Sequence, residues 1–254
     1  MSAGVSATRR SAMAGYKDRL RTFAHAVLDP VVGGLASSGI TANHLTVAGL
    51  VLSVGAGIAF YVGASQVAAL ILVAAGLCDI LDGQLARRTG GETRFGAFLD
   101  STLDRIAEAA VLTGIAGFFA GNLLGLYTKS NVLFGQVLTG EIDLPSAIHI
   151  NNNPTIEGWA WLASTLIAVA ALAGSFMVSY TRARAEGLGL ECKVGWFERP
   201  ERIVLIIIAG LIHLYSAMSI AVAILAILSF FTAFQRMAHV WRNSRQTAGE
   251  STEA

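Results

Sequence analysis

Charge is what this sequence has least of. Only 14 % of its 254 residues are Asp, Glu, Lys or Arg, against roughly a quarter in a soluble globular domain, which excludes an ordinary water-soluble protein. Proline occurs four times and cysteine twice, so neither a proline-rich linker nor a disulfide framework organises the chain. Cys78 and Cys192 stand far apart, with no CxxC pair and no histidine at ligand spacing, the pattern of two free or buried thiols. No basic cluster alternates with stacking aromatics and the formal net charge is +1, which argues against a nucleic-acid partner. The first long apolar run starts near Leu45, too late for a secretory signal, and no cleaved leader is expected.

What is present is apolar surface: 54 % hydrophobic residues and 27 glycines, the composition of a polytopic membrane protein. The runs 45–63, 67–86, 96–121 and 158–180 each approach or exceed the roughly 20 residues that cross a bilayer. The last run, 203–234, would measure about 48 Å as one helix, too long for a hydrocarbon core of about 30 Å. Charge placement resolves it. If this run is two helices turning within 213–219, Arg87, Arg88, Arg94, Arg182, Arg184, Arg199, Arg202, Arg236, Arg242 and Arg245 fall on one side of the membrane, and Lys129 alone on the other. The positive-inside rule therefore favours six spans with both termini cytoplasmic.

Ahead of the first span, Leu20, Phe23, Ala24, Val27, Leu28 and Val31 recur at helical spacing opposite Lys17, Asp18, Arg19, Arg21, His25 and Asp29, as in an interfacial amphipathic helix. Pro30 and the small residues 37–39 should kink and end it. The expected fold is thus an all-α integral membrane protein of six transmembrane helices preceded by an N-terminal interfacial helix. Residues 1–43 are expected to form the cytoplasmic N-terminus with the interfacial helix, 44–242 the six-helix transmembrane domain with an external loop over about 127–157, and 243–254 a polar tail.

Four aspartates interrupt these apolar runs. Asp79 and Asp82 are three apart, Asp100 and Asp104 four apart, so each pair shares a helix face. Asp82 and Asp100 are each nine residues from Gly91, so a helical hairpin turning there brings both pairs to matching depth. Carboxylates gathered in a partly dehydrated space repel one another unless cations neutralise them. Their oxygens suit magnesium or manganese, and a two-metal site clamps the attacking and leaving oxygens of a phosphoryl transfer. Gly83, Ala86 and Gly96 remove side-chain bulk where a nucleotide would approach backbone, and Arg87 can fork onto phosphate oxygens.

In order along the chain, Asp79, Asp82, Gly83, Ala86, Arg87, Gly96, Asp100 and Asp104 resemble at every fixed position the signature of the CDP-alcohol phosphotransferases. That resemblance implies six membrane spans, an N-terminal interfacial helix, and attack by an alcohol on the β-phosphorus of a CDP-linked lipid, releasing CMP. It further implies that Asp79, Asp82, Asp100 and Asp104 hold two Mg2+ or Mn2+ ions, with Asp104 also the catalytic base. Asp79, Asp82, Gly83, Ala86, Arg87 and Gly96 would line the CDP site. A homodimer in a prokaryotic cell membrane, its active site facing the cytoplasm, is expected on the same ground.

A second group of cations lies in SYTRARAEG (179–187) and ERPER (198–202). Four arginines at two helix ends suit an anion, because guanidinium forks match phosphate. These stretches resemble the phosphatidylinositol-phosphate synthase branch of the family, which implies inositol 1-phosphate as acceptor and CDP-diacylglycerol or a related CDP-lipid as donor. Ser179, Arg182, Arg184, Arg199, Arg202 and Arg242 are then the candidates around the acceptor phosphate. Glycerol 3-phosphate or another alcohol remains an alternative acceptor, since specificity hangs on a few polar contacts. An ion-handling transporter is a remote alternative: it would distribute acids along a path across the membrane, yet no aspartate follows Asp143.

Overall fold

The computed structural model describes residues 29–91, 93–151, 154–192, 194–195 and 197–250. Among them there is no strand. The helices are α1 (Ala42–Tyr61), α2 (Ser65–Thr89), α3 (Arg94–Leu138), α4 (Leu144–Asn151), α5 (Pro154–Glu186), α6 (Arg199–Ile212) and α7 (Tyr215–Glu250). The expected interfacial helix lies outside the described residues except for its end: 29–37 are helical, and the helix stops where Gly39 takes φ 75°.

Glycines set the turns that matter here. Gly63 (φ 82°) closes α1, and Gly90 (φ 63°) closes α2, a backbone conformation that side chains with a Cβ rarely adopt. The Gly91 amide donates back to the Ala86 carbonyl at 3.1 Å, the reverse bond of a Schellman cap. Thr93 then caps α3, its Oγ1 accepting from the Gly96 amide at 2.9 Å. The expected helical hairpin between 79 and 104 is thus present.

The long apolar run 203–234 does break. His213 sits in the left-handed region at φ 55° and its amide bonds the Gly210 carbonyl at 3.2 Å, separating α6 from α7. At 14 residues, α6 is about 21 Å long. Among the described residues, five helices are long and apolar enough to cross a membrane: Ala42–Tyr61, Ser65–Thr89, Arg94–Leu138, Glu157–Glu186 and Tyr215–Ser244. Large apolar side chains on them face outward, Val51, Ile58, Leu70, Leu166, Ile220 and Ile227 among them, a surface that suits hydrocarbon and not water. The protein is an integral membrane protein.

The stretch 127–157, expected as a loop, is mostly helix. α3 continues to Leu138 and α4 follows at Leu144, because nothing between Tyr127 and Leu138 stops a helix except the single Gly135, which costs about 1 kcal/mol relative to alanine. α3 ends only at Gly140, φ 75°. Asp143 caps α4, accepting from the Ser146 hydroxyl at 2.6 Å and its amide at 3.2 Å, and that hydroxyl and amide hold its carboxyl below the ordinary carboxylate range. Loop composition was read where helix propensity decides.

The described residues fall into two compact units. One comprises the residues up to Gly49 with Leu77–Leu103; Val32, Leu81 and Leu85 form its small core, against Leu35, Ala36, Ile40 and Leu45. The other comprises Leu50–Gly76 and the residues from Asp104 on, around Phe60, Leu72, Leu112, Ile115, Phe119, Ile206, Val222 and Leu225. In this second unit α5 and α6 both pack on α7. Here too Gly57 and Gly114 bring α1 and α3 so close that a Cβ on Gly114 would overlap the Gly57 carbonyl, the small-residue contact that membrane helices use to approach.

Candidate active site

The first unit carries an acidic cluster. One carboxylate oxygen from each of Asp79 and Asp82 on α2 and Asp100 on α3 lie within 4.8 Å of one another. That is close to the roughly 4–5 Å separating oxygens on opposite sides of one hard divalent cation. Asp82 is the buried member at 6 % exposure, and its Oδ2 accepts from Thr46 Oγ1 at 2.8 Å. Thr46 thereby fixes the orientation of one acid from a third helix, as outer-shell partners do around metal ligands. Three acids with all-oxygen donors fit a divalent cation better than each other.

A cavity of about 300 Å³ opens beside the cluster, lined by Asp82, Asp100, Asn43, Thr46, Gly83, Ala86, Arg87, Thr93 and Gly96 among others. The residues expected to face a nucleotide, Gly83, Ala86, Arg87 and Gly96, therefore share one wall system with two of the acids. The glycine matters at 96: a Cβ there would lie 3.0 Å from Thr93 Oγ1 and 3.6 Å from Asn43 Oδ1, narrowing the cavity. Sequence reasoning missed Thr46 and Asn43, although both lie at the opening of the first span.

The second unit holds Asp104, Glu108 and the arginines of α5, α6 and α7. Asp104, one turn beyond Asp100 on α3, is ion-paired with Arg199 at 2.7 Å between Oδ2 and Nη1. One further turn on, Glu108 meets Arg202, Nε to Oε1 at 2.8 Å and Nη2 to Oε2 at 3.2 Å. Glu108 was not singled out in the sequence, yet the signal was there: acids at 104 and 108 repeat the four-residue spacing, and Arg199 and Arg202 can face them in register.

The candidate arginines differ in burial and partners. Arg182 pairs with Glu186 at 2.8 Å on an exposed face of α5; Arg184 and Arg242 are exposed, and Ser179 is half-buried. Arg202 lies within electrostatic reach of Arg199 and of Arg236. Arg236, on α7, is buried at 3 % exposure. Its Nη1 donates to the Val178 carbonyl at 2.6 Å and its Nε to the Val194 carbonyl at 2.8 Å, tying the segment before α6 to the end of α5. A positive-inside residue by sequence, it serves here as a strut.

An aspartate cluster on a helical hairpin, with a small-residue nucleotide-sized cavity, defines a class. The family model described as CDP-alcohol phosphatidyltransferase matches residues 39–234, and the chain belongs to this family of transferases. The archaetidylinositol phosphate synthase of Methanothermobacter thermautotrophicus is 36 % identical over 220 residues, 85 % of this chain and 89 % of that protein. The phosphatidylinositol phosphate synthase of Mycobacterium tuberculosis is 31 % identical over 222 residues, 85 % of this chain and 86 % of that one. The crystal structure of the M. tuberculosis synthase with CDP-DAG bound matches at a TM-score of 0.63 and 29 % identity, covering 84 % of this chain and 92 % of that one. The same synthase in complex with manganese and citrate matches at 0.62.

Proposed function

We propose that this protein transfers the phosphatidyl group, or its ether-lipid counterpart, from a CDP-linked lipid to inositol 1-phosphate and releases CMP. The observation that carries this reading is the convergence of Asp79, Asp82 and Asp100 beside a cavity walled by Gly83, Ala86, Arg87 and Gly96. The names of both relatives above, one archaetidyl and one phosphatidyl, share inositol phosphate as their product's headgroup, which supports that acceptor.

Asp79, Asp82 and Asp100 are the residues to hold one divalent cation, Mg2+ or Mn2+, and Asp104 to complete a second site. When bound, such ions neutralise diphosphate charge and polarise phosphoryl oxygens. Thr46 holds Asp82 in its ligating orientation, and Arg87 can fork onto the diphosphate from the cavity wall. Asp104 accepts the proton of the acceptor hydroxyl as its oxygen bonds to the β-phosphorus and the bond to CMP breaks. Ser179, Arg182, Arg184, Arg199, Arg202 and Arg242 are the proposed cationic and polar surroundings of the acceptor phosphate. Arg202 donates one hydrogen bond to Glu108, from Nη2, leaving Nε and Nη1 without a hydrogen-bond partner among the described residues.

On this reading α6 is the sixth span. The arginines then share the cytoplasmic side with both termini. A homodimer is part of the same proposal. The test is CMP release from CDP-diacylglycerol by purified protein with Mg2+, with inositol 1-phosphate, glycerol 3-phosphate, inositol and serine compared and Asp104→Asn as control. Release with inositol 1-phosphate alone, absent in Asp104→Asn, is expected. Release with glycerol 3-phosphate instead would keep the aspartates and overturn the acceptor.

A further inference from the structure

α3 and α6 are joined by two acid–arginine rungs in register, Asp104 to Arg199 and Glu108 to Arg202. The rungs differ in kind. The Glu108 and Arg202 side chains are 7 % and 3 % exposed and meet through one hydrogen bond, Nη2 to Oε2, and a close ion contact, Nε to Oε1, a pair that neither partner can leave without stranding a buried charge. Asp104 and Arg199 meet at 2.7 Å, with side chains 20 % and 24 % exposed. Less buried than the rung beyond it, this pair can open at lower cost.

Position favours the same conclusion. Arg199 is the first residue of α6, with Pro200 following. The fixed rung at Arg202 anchors that helix end, so the Arg199 side chain can swing without the helix moving. Arg202 lies close enough to feel Arg199 as a repelling charge, and the pair together favours an anion over isolation.

From these contacts we infer that Arg199 is shared between two ligands: it pairs with Asp104, and a divalent cation that engages Asp104 displaces it from that carboxylate and releases it to bind the acceptor's phosphate. The inference rests on the proposed role of Asp104 as a cation ligand. It makes cation and acceptor phosphate cooperative through one side chain, and by linkage the coupling runs in both directions. An acceptor arriving before the cation finds Arg199 occupied.

The test is a double-mutant cycle on the full chain in nanodiscs, in EDTA, with inorganic phosphate as the probe and its affinity read by 31P NMR. Asp104→Asn, which cannot hold Arg199 as an ion pair, should bind phosphate at least about fivefold more tightly than wild type, the lower end for coupled sites. Adding Arg199→Gln to that background should remove the gain. No gain in Asp104→Asn, or a gain that persists without Arg199, overturns the inference, the latter because mere removal of a negative charge would then explain it. Should Asp104→Asn not fold, Mn2+ titration by EPR decides: Arg199→Gln should bind Mn2+ about fivefold more tightly, and unchanged affinity overturns the inference. CMP release by the same wild-type preparation judges the proposed function separately. Release with inositol 1-phosphate alongside no phosphate gain removes the shared arginine and leaves the function standing.

Discussion

Glu108→Leu should be among the most destabilising single substitutions in this protein. The change strands the Arg202 guanidinium, whose side chain is 3 % exposed and which is ion-paired to Glu108 at 2.8 Å and hydrogen-bonded to it at 3.2 Å, in a buried site. Breaking one partner of a buried pair costs about 3–5 kcal/mol, whereas replacing both by apolar residues is often neutral. For a chain of this size each kcal/mol moves the melting temperature by roughly 2–4 °C, so Glu108→Leu should melt some 6–20 °C lower. The double variant Glu108→Leu/Arg202→Met should recover most of that loss. Thermal unfolding of detergent-solubilised protein, read by intrinsic tryptophan fluorescence, measures both. A loss under about 1 kcal/mol for the single variant, or a double variant no more stable than the single, would refute the assignment of this rung as a buried, mutually dependent pair.

Two further outcomes are expected. Thr46→Val removes the donor to Asp82 Oδ2 while keeping shape, and should weaken Mn2+ binding about 10–100-fold, the usual effect of losing an outer-shell partner; EPR titration with unchanged affinity would separate Asp82 from any cation site. Gly114→Leu places a side chain where even a Cβ meets the Gly57 carbonyl, and should lower stability by at least about 1–3 kcal/mol, whereas Gly121→Leu, whose Cβ would meet open space, should be nearly neutral in the same unfolding assay.

Much of this was legible in the sequence because the chemistry requires fixed spacing. Acids three and four apart on two helices, with glycines between, cannot meet in a hairpin except as a cluster, and Asp79, Asp82 and Asp100 do. The break near His213 was legible too, because a single helix was too long for the bilayer and misplaced the arginines. Other features were not, for identifiable reasons. The helical course of 127–138 was hidden because polar residues such as Thr128, Lys129 and Ser130 read as loop while their backbone propensity is adequate for helix. Glu108 looked like one acid among apolar neighbours, since burial and a partner 94 residues away leave no local trace. Arg236 is the same case: its carbonyl acceptors on Val178 and Val194 have no signature in a sequence.

The acids of α3 show how one helix face can carry charge with different consequences. Asp100, Asp104 and Glu108 repeat every four residues, so they line one side of the helix, yet each is answered differently. Glu108, 7 % exposed, has a permanent arginine and is thereby fixed as structure. Asp104, 20 % exposed, faces an arginine less deeply buried than Glu108's partner. Asp100 shares its surroundings with two other acids, where repulsion is relieved best by an ion from solution. In an apolar phase every charge must be answered; the depth of each acid decides whether the protein answers it for good, for a time, or leaves the answer to the cation on which the chemistry depends.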